Sequence, residues 1–282
     1  ITASHNPPEY NGIKVFDRDT IGYSIAQEDA IEAGFHRKNF RKGQGTLRTD
    51  ESAREIYFKR LLDEFSGVDF NRNLKIVVDP GNGAASGFAS KLFMELGLDV
   101  IPVNDEPDGN FPGRPSEPTG ETLKSTVEFL RENGADIAVC FDGDADRVVF
   151  CDKEGFLGFN EMVAFISRLA VLKSGKKKVA ATIEVGKLMD LALEELGDVY
   201  LAHLVRESDA AMGVEDVGVY IVPEMGCYPE SMVAPLTLLS SITSPVEIRE
   251  FFKGFPQFSS GKRKVRCPNE LKESAMEIVK QK

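Results

Sequence analysis

The most specific chemical signal in the sequence is the hexapeptide DGDADR, in which Asp142, Asp144 and Asp146 alternate with small residues and Arg147 follows. Carboxylates at alternate positions of a tight, glycine-containing turn can converge on one hard cation. Because every ligand would be an oxygen, such a site suits Mg²⁺. We therefore predict that the three aspartates form a magnesium cage with a cation, Arg147, beside it.

Two interpretations of this acidic turn compete. A calcium-type loop or a solvated turn is an equally common setting for alternating aspartates, but the glycine and glutamate of an EF-hand do not follow here. A β-like apolar run precedes the motif, and an arginine ends it. These neighbours favour a phosphoryl-transfer site, since that chemistry needs cations around the moving phosphate.

A second chemical signal is the segment TASHNPPEYNGIK, which contains Ser4, His5 and Lys14. A serine in a loop is most often only a turn residue, but this one lies among side chains that can hydrogen-bond or carry a proton. A hydroxyl that carries phosphate must be exposed and oriented, and a loop bounded by prolines can hold it so. The segment therefore offers Ser4 as a candidate nucleophile.

Alternating strand and helix patterns surround the aspartate motif. The run Leu74–Asp79 predicts a strand, followed by a PGNGA turn and a helix through Leu96. Thr122–Asn133 predicts an amphipathic helix, and Asp136–Phe141 predicts a buried strand that ends in the motif. This alternation predicts a mostly parallel sheet with helices on both faces.

A second α/β pattern follows, with a helix over Glu161–Lys173, a strand over Lys178–Ile183, a helix over Val185–Leu196 and a strand near Val217–Val222. The tail from Lys262 predicts a basic strand-like stretch and then a helix to the last residue. The expected fold class is therefore α/β and multidomain, with repeated mixed or parallel sheets sandwiched by helices and an active site in a cleft between domains.

Composition limits the classes of partner. The 282 residues carry 34 basic and 45 acidic side chains, a formal charge of −11, which argues against nucleic acid or an anionic membrane. The four cysteines form no CxxC pair, so a reducing, cytoplasmic setting is expected. No apolar run reaches the roughly 20 residues that span a bilayer, so we expect a soluble protein. The start at Ile1, without methionine, suggests a truncated chain.

TASHNPxxxNGxK and DGDADR together resemble the paired signatures of the α-D-phosphohexomutase family, in its phosphomannomutase/phosphoglucomutase branch. The resemblance extends to DPGNGAAS at 79–86, EPDGNFPGRPSEPTGETL at 106–123 and GAD at 134–136. It implies an isomerase that moves phosphate between C1 and C6 of a hexose phosphate, mannose or glucose, through a hexose 1,6-bisphosphate. We assign no catalytic role to the loop 104–119 and expect it to pack between domains.

The resemblance also implies roles for individual residues. Ser4 is the phosphorylated carrier and a ligand of Mg²⁺ together with Asp142, Asp144 and Asp146. His5 and Lys14 match substrate-side and acid–base residues, and Arg147 matches the arginine beside the metal.

The implied domains are 1–58, the end of domain I with the phosphoserine loop, 59–155, domain II with the metal loop, 156–260, domain III with the sugar-binding loop, and 261–282, the start of a truncated domain IV. The family's phosphate-gripping loop of domain IV is not found in the sequence. An isolated chain without that loop can therefore lack mutase turnover.

The third-domain sugar loop is where the sequence departs from the family. The family pattern is GE(E/M)SGH, and the stretch taken to correspond reads VPEMGCY, in which only Glu224 is retained. Glu224 is therefore the candidate substrate-binding residue. Substrate alternatives are a phosphoglucosamine or phosphopentose mutase, or a non-catalytic homologue that binds sugar phosphates, and homo-oligomerisation stays open.

Overall fold

The computed structural model describes residues 1–18, 20–38, 40–50, 52–185, 188–189, 205, 208–256, 267–268 and 271–280. Within these residues the helices are α1 Ile25–His36, α2 Ser52–Phe65, α3 Ala89–Glu95, α4 Lys124–Glu132, α5 Phe159–Ser174, α6 Val233–Leu239, α7 Val246–Phe252 and α8 Lys272–Lys280. The strands are β1 Lys75–Asp79, β2 Asp99–Pro102, β3 Ile137–Phe141, β4 Val148–Asp152, β5 Gly155–Leu157, β6 Val179–Ala181, β7 Met212–Glu215 and β8 Val219–Ile221.

The first sheet has the strand order β2-β1-β3-β4-β5 and is mixed. Strand β1 pairs in parallel with β2 and β3, whereas β3–β4 and β4–β5 are antiparallel. The expectation of a mostly parallel sheet is therefore only half right, because the aspartate motif joins β3 and β4 as a hairpin in which Phe141 pairs with Val148. A six-residue connection is too short for the crossover that parallel strands need.

The central strands of the first sheet are buried because they consist mainly of apolar residues. All of β3 and β4 and four of the five residues of β1 are buried, as expected for strands covered on both faces. One face packs with α2, α3 and α5, and the other packs with α4. The helices expected over 122–133 and 161–173 are confirmed with slightly shifted ends.

The second sheet has the order β6-β7-β8, with β6 parallel to β7 and β7 antiparallel to β8. The predicted strand Lys178–Ile183 is shorter, because a 3-10 turn begins at Ile183. Most of the predicted helix Val185–Leu196 lies outside the described residues. One apolar cluster includes side chains of both sheets, so their cores are continuous.

The two ends of the chain are mostly exposed. Helix α1 buries none of its side chains, and neither it nor α2 is predicted from the sequence pattern. The basic stretch expected from Lys262 lies outside the described residues, and the helix expected after it is α8. Among the described helices, none is long and apolar enough to cross a membrane.

Candidate active site

The β3–β4 hairpin loop folds its three aspartates together. Asp142 Oδ1 accepts hydrogen bonds from the backbone N–H groups of Asp146 and Arg147, both at 3.1 Å. Ala145 adopts the left-handed conformation with φ of 59°, which closes the turn. One carboxylate oxygen therefore organises the loop, and the opposite oxygen of the same side chain stays available.

The arrangement fits a metal ion. One carboxylate oxygen from each of Asp142, Asp144 and Asp146 lies within 4.8 Å of the others. Each residue also has one buried oxygen, namely Asp142 Oδ2, Asp144 Oδ1 and Asp146 Oδ1, to which no described residue donates a hydrogen bond. Burial raises the pKa of Asp142, and the negative charges of Asp146 and Asp144 raise it further. A bound cation would offset these costs, so the donor set suits a hard divalent ion.

The Ser4 loop packs directly against this hairpin. Thr2 Oγ1 donates a hydrogen bond to Asp144 Oδ2 at 3.0 Å and accepts one from the Ser4 N–H at 2.8 Å. A Cβ atom added at Gly143 would lie 2.7 Å from the Ser4 carbonyl oxygen, so the approach requires glycine. The structure therefore confirms the expectation that the two motifs meet.

Ser4 has a left-handed backbone, with φ of 55°, and its Oγ lies 3.3 Å from His5 Nδ1. Burial lowers the pKa of His5, and the positive charge of Arg147 lowers it further. A neutral imidazole can accept a proton at this distance once the tautomer leaves Nδ1 free. His5 is therefore placed to interact with the serine hydroxyl.

Lys14 bridges the two loops. Its Nζ lies 2.9 Å from Asp144 Oδ2 and 2.7 Å from Asp146 Oδ2, the oxygens opposite those left free for a cation. Burial alone would lower the pKa of Lys14, but hydrogen bonds to Asp146 and Asp144 outweigh it and raise the pKa. The ammonium group is therefore held charged beside the aspartates. A third contact, from Nζ to Tyr228 Oη at 3.4 Å, comes from the segment after β8.

Arg147 lies beside the aspartate group. Its Nε lies 3.9 Å from Asp142 Oδ2 and 3.8 Å from Asp146 Oδ1, beyond hydrogen-bond distance. The side chain is 20 % exposed, so the guanidinium is partly accessible. This position leaves donors available for an anionic ligand.

The loop 104–119 packs against the site, and its Glu117 Oε1 lies 4.0 Å from His5 Nε2. Ser116 Oγ donates to the His5 carbonyl at 2.7 Å and lies 3.3 Å from the Asn6 carbonyl. Arg114 is buried and donates to Asp79 Oδ2 at 2.9 Å and to the Phe141 carbonyl at 2.7 Å. The loop thus packs against the Ser4 segment and helps to hold it in place.

Glu224 lies in a different setting from the other candidates. Its side chain is 57 % exposed and pairs with Lys176 Nζ at 3.5 Å, while its backbone carbonyl accepts a hydrogen bond from Arg60.

Glu215, at the end of β7, is half-buried, and its carboxylate is close enough to Arg147 and Asp146 for their charges to affect its pKa. Burial raises the pKa of Glu215.

The β7–β8 turn that follows Glu215 packs on the first sheet, where Val148 N–H donates to the Gly218 carbonyl at 2.9 Å. This turn therefore adjoins the aspartate hairpin. Sequence reasoning missed Glu215, Thr2, Ser116 and Tyr228. Thr2 lies inside the TASHNPPEYNGIK segment and could have been found, whereas the other three depend on contacts between distant segments.

Comparisons with known proteins cover both loops. The family model described as "Phosphoglucomutase/phosphomannomutase, alpha/beta/alpha domain II" matches residues 55–155, and the domain I model matches residues 1–42. A Methanopyrus kandleri protein named "Probable phosphoglucosamine mutase" is 36% identical over 99% of this chain. The chain belongs to the α-D-phosphohexomutase family.

A further relative and two solved structures are also similar to this chain. A Pyrococcus furiosus protein of the same name is 33% identical over 99% of the chain. The chain spans 64% of the length of each of these two relatives. A phosphoglucomutase/phosphomannomutase family protein from Burkholderia thailandensis aligns with a TM-score of 0.76 and 23% identity, over 91% of this chain and 57% of that one. Paramecium parafusin, a phosphoglucomutase, aligns with 0.70 and 18%, over 90% and 56%. At these identities the two structures support the fold.

Proposed function

We propose that the protein is a phosphosugar mutase in which Ser4 carries the phosphoryl group. The observation that carries this proposal is the contact of the Ser4 loop with the aspartate hairpin through Thr2 and Asp144. A carrier serine must lie beside the cation site that neutralises its phosphate, and family membership links the same two motifs. The intact set of site residues argues against a non-catalytic homologue.

In this proposal the phosphoryl group leaves Ser4 Oγ for a hydroxyl of a sugar monophosphate, and the resulting bisphosphate returns its other phosphate to Ser4. As the Ser4–phosphate bond breaks, His5 accepts the proton of the attacking sugar hydroxyl and returns a proton to Ser4 Oγ, which lies 3.3 Å from its Nδ1; the lowered pKa of His5 favours the neutral imidazole that this relay needs. The return of the second phosphate reverses the relay. Lys14 and Arg147 supply fixed positive charge around the transferring group.

We further propose Mg²⁺ as the cation, held by Asp142, Asp144 and Asp146 through their free oxygens, with Ser4 as the fourth protein ligand. The ion would supply positive charge to the transferring phosphoryl group. Oxygen-only donors favour Mg²⁺ over softer metals. The chain's own part is to hold the aspartates, which it does through the hairpin hydrogen bonds and Lys14.

For the substrate we propose a glucosamine phosphate, supported by the names of the Methanopyrus kandleri and Pyrococcus furiosus relatives. Mannose and glucose phosphates remain the competing substrates, because the family models name phosphoglucomutase and phosphomannomutase. We propose Glu215 as the carboxylate that faces the sugar, since it lies near Arg147, whereas Glu224 pairs with Lys176.

The proposal is tested by incubating the purified chain with Mg²⁺ and a glucosamine or glucose 1,6-bisphosphate, followed by intact-mass and peptide analysis. We expect one phosphate on the Ser4 peptide and none in Ser4→Ala. Phosphate on another residue, or an unimpaired Ser4→Ala protein, would contradict the proposal. The half-saturating concentration of each bisphosphate then identifies the sugar, and we expect Glu215→Gln to raise it more than Glu224→Gln does.

A further inference from the structure

Residues 227–231 follow β8 and lie against the stretch 14–20, which continues from the Ser4 loop; we call them the crossing segment. The Tyr228 ring packs edge-on against Phe16, with centroids 4.7 Å apart and planes at 84°. One residue earlier, the Cys227 N–H donates to Thr20 Oγ1 at 3.4 Å. Tyr228 Oη also accepts from Lys14 Nζ at 3.4 Å. The crossing segment therefore contacts the stretch 14–20 at three points.

The tyrosine completes the surroundings of the Lys14 ammonium. An ammonium group has three N–H donors, and Lys14 has three oxygen partners, on Asp144, Asp146 and Tyr228. The two carboxylates both belong to the aspartate hairpin. Tyr228 adds a partner from a different segment, and because its ring packs against Phe16, its hydroxyl restricts where the ammonium can lie.

The crossing segment is itself fixed to the aspartate hairpin. Ser231 Oγ donates to the Ala145 carbonyl at 2.6 Å. The neighbouring Glu230 carboxylate accepts from the backbone N–H groups of Met232 and Val233, at 3.1 and 2.6 Å. The Tyr57 hydroxyl also donates to Glu230. Because Tyr228 lies three residues before the Ser231 anchor, its position is set relative to the aspartates.

We propose that Tyr228 is a positioning residue that holds Lys14 over Asp144 and Asp146 during phosphoryl transfer. The proposal rests on the proposed function, because it assigns Tyr228 to the same site. It acts through Lys14 and does not require contact with the sugar. A segment distant in sequence thereby controls the geometry of a cation beside the carrier serine.

The test uses Tyr228→Phe, which keeps the ring against Phe16 and removes only the hydroxyl. We expect the maximal single-turnover rate of Ser4 phosphorylation by glucosamine 1,6-bisphosphate to fall about fivefold, the effect of losing one modest hydrogen bond. The half-saturating concentration should stay within about twofold. In a Lys14→Ala background the same change should have less than about a twofold effect on the rate. Tyr10→Phe, an exposed tyrosine of the Ser4 segment, is the matched control.

Equal losses in both backgrounds, an unchanged rate, or a change confined to the half-saturating concentration would overturn the proposal. A second readout does not need activity. Amide hydrogen exchange of the peptide around Lys14 should be about fivefold faster in Tyr228→Phe than in the wild type. In the Lys14→Ala background, Tyr228→Phe should cause no further increase. If the wild-type chain shows this coupling but transfers no phosphate, the proposed function fails while the contact stands. If exchange is unchanged, the positioning role fails.

Discussion

Thr2 and Asp144 are joined by a hydrogen bond from Thr2 Oγ1 to Asp144 Oδ2, 3.0 Å long, although 142 positions separate them in the sequence. The same hydroxyl accepts the N–H of Ser4 at 2.8 Å. One oxygen atom thus connects the backbone of the candidate carrier with a carboxylate of the candidate metal site. The distance between the serine and the aspartates depends on that oxygen.

Replacing Thr2 by valine removes this connection and keeps the shape of the side chain. We expect Thr2→Val to slow Ser4 phosphorylation by roughly tenfold. The Ser4 loop loses its hydrogen bond to the charged Asp144, and Ser4 is then less well aligned with the aspartates. Thr2→Ser keeps the hydroxyl and should stay within about twofold. The rate is measured by intact mass against time, with the exposed Thr49→Val as control. Equal rates for all three variants would show that the bond does not position Ser4.

Each carboxylate of the hairpin is expected to contribute to metal binding. Asp142→Asn, Asp144→Asn and Asp146→Asn each remove a charged oxygen ligand, so Mg²⁺ affinity should fall by at least about tenfold. Isothermal titration calorimetry measures the affinity directly, and the exposed Asp99→Asn is the matched control. Full affinity in all three variants would make the loop a structural turn.

The sequence predicted the two motifs and the strand before the aspartates because those signals are local. Apolar runs and turn residues within about ten positions specify β1, β3 and α4. The antiparallel β4 was missed because the alternating strand and helix patterns predicted a mostly parallel sheet, whereas the six-residue loop after β3 forces a hairpin. The partners of Lys14 and of His5 were missed for another reason: Tyr228 and Ser116 reach them across more than 100 positions.

The buried pair of Asp79 and Arg114 should stabilise the fold around the site. Arg114 Nε donates to Asp79 Oδ2 at 2.9 Å, and its other nitrogens donate to three backbone carbonyls, of Asp79, Pro115 and Phe141. Lysine cannot reproduce this planar fork, so Arg114→Lys should lower the free energy of unfolding by about 3 kcal/mol. Urea unfolding followed by circular dichroism measures this. The exposed Arg41→Lys should change it by less than about 0.5 kcal/mol, and an equally small loss in Arg114→Lys would contradict the prediction.

Glu230 should make stability depend on pH. Burial raises the pKa of Glu230 above its ordinary value of 4.5, although hydrogen bonds from Tyr57, Val233 and Met232 oppose the rise. The folded protein therefore retains the proton at pH values where the unfolded chain has released it. The stabilising contribution is fully present below about pH 4.5 and is lost as pH rises through the folded-state pKa.

Glu230→Gln stays neutral at every pH and retains an oxygen that accepts the Tyr57 hydroxyl, so it isolates this ionisation. We expect the melting temperature of Glu230→Gln minus that of the wild type to increase as pH rises from 4.5, because only the wild type must ionise a buried carboxyl group. Differential scanning fluorimetry across pH 4.5 to about 8 measures the difference, and contributions from other titrating groups cancel in it. The exposed Glu132→Gln should give a flat difference over the same range. A difference that decreases with rising pH would mean that the ionised Glu230 is stabilised in the fold, and that its hydrogen bonds outweigh the cost of burial.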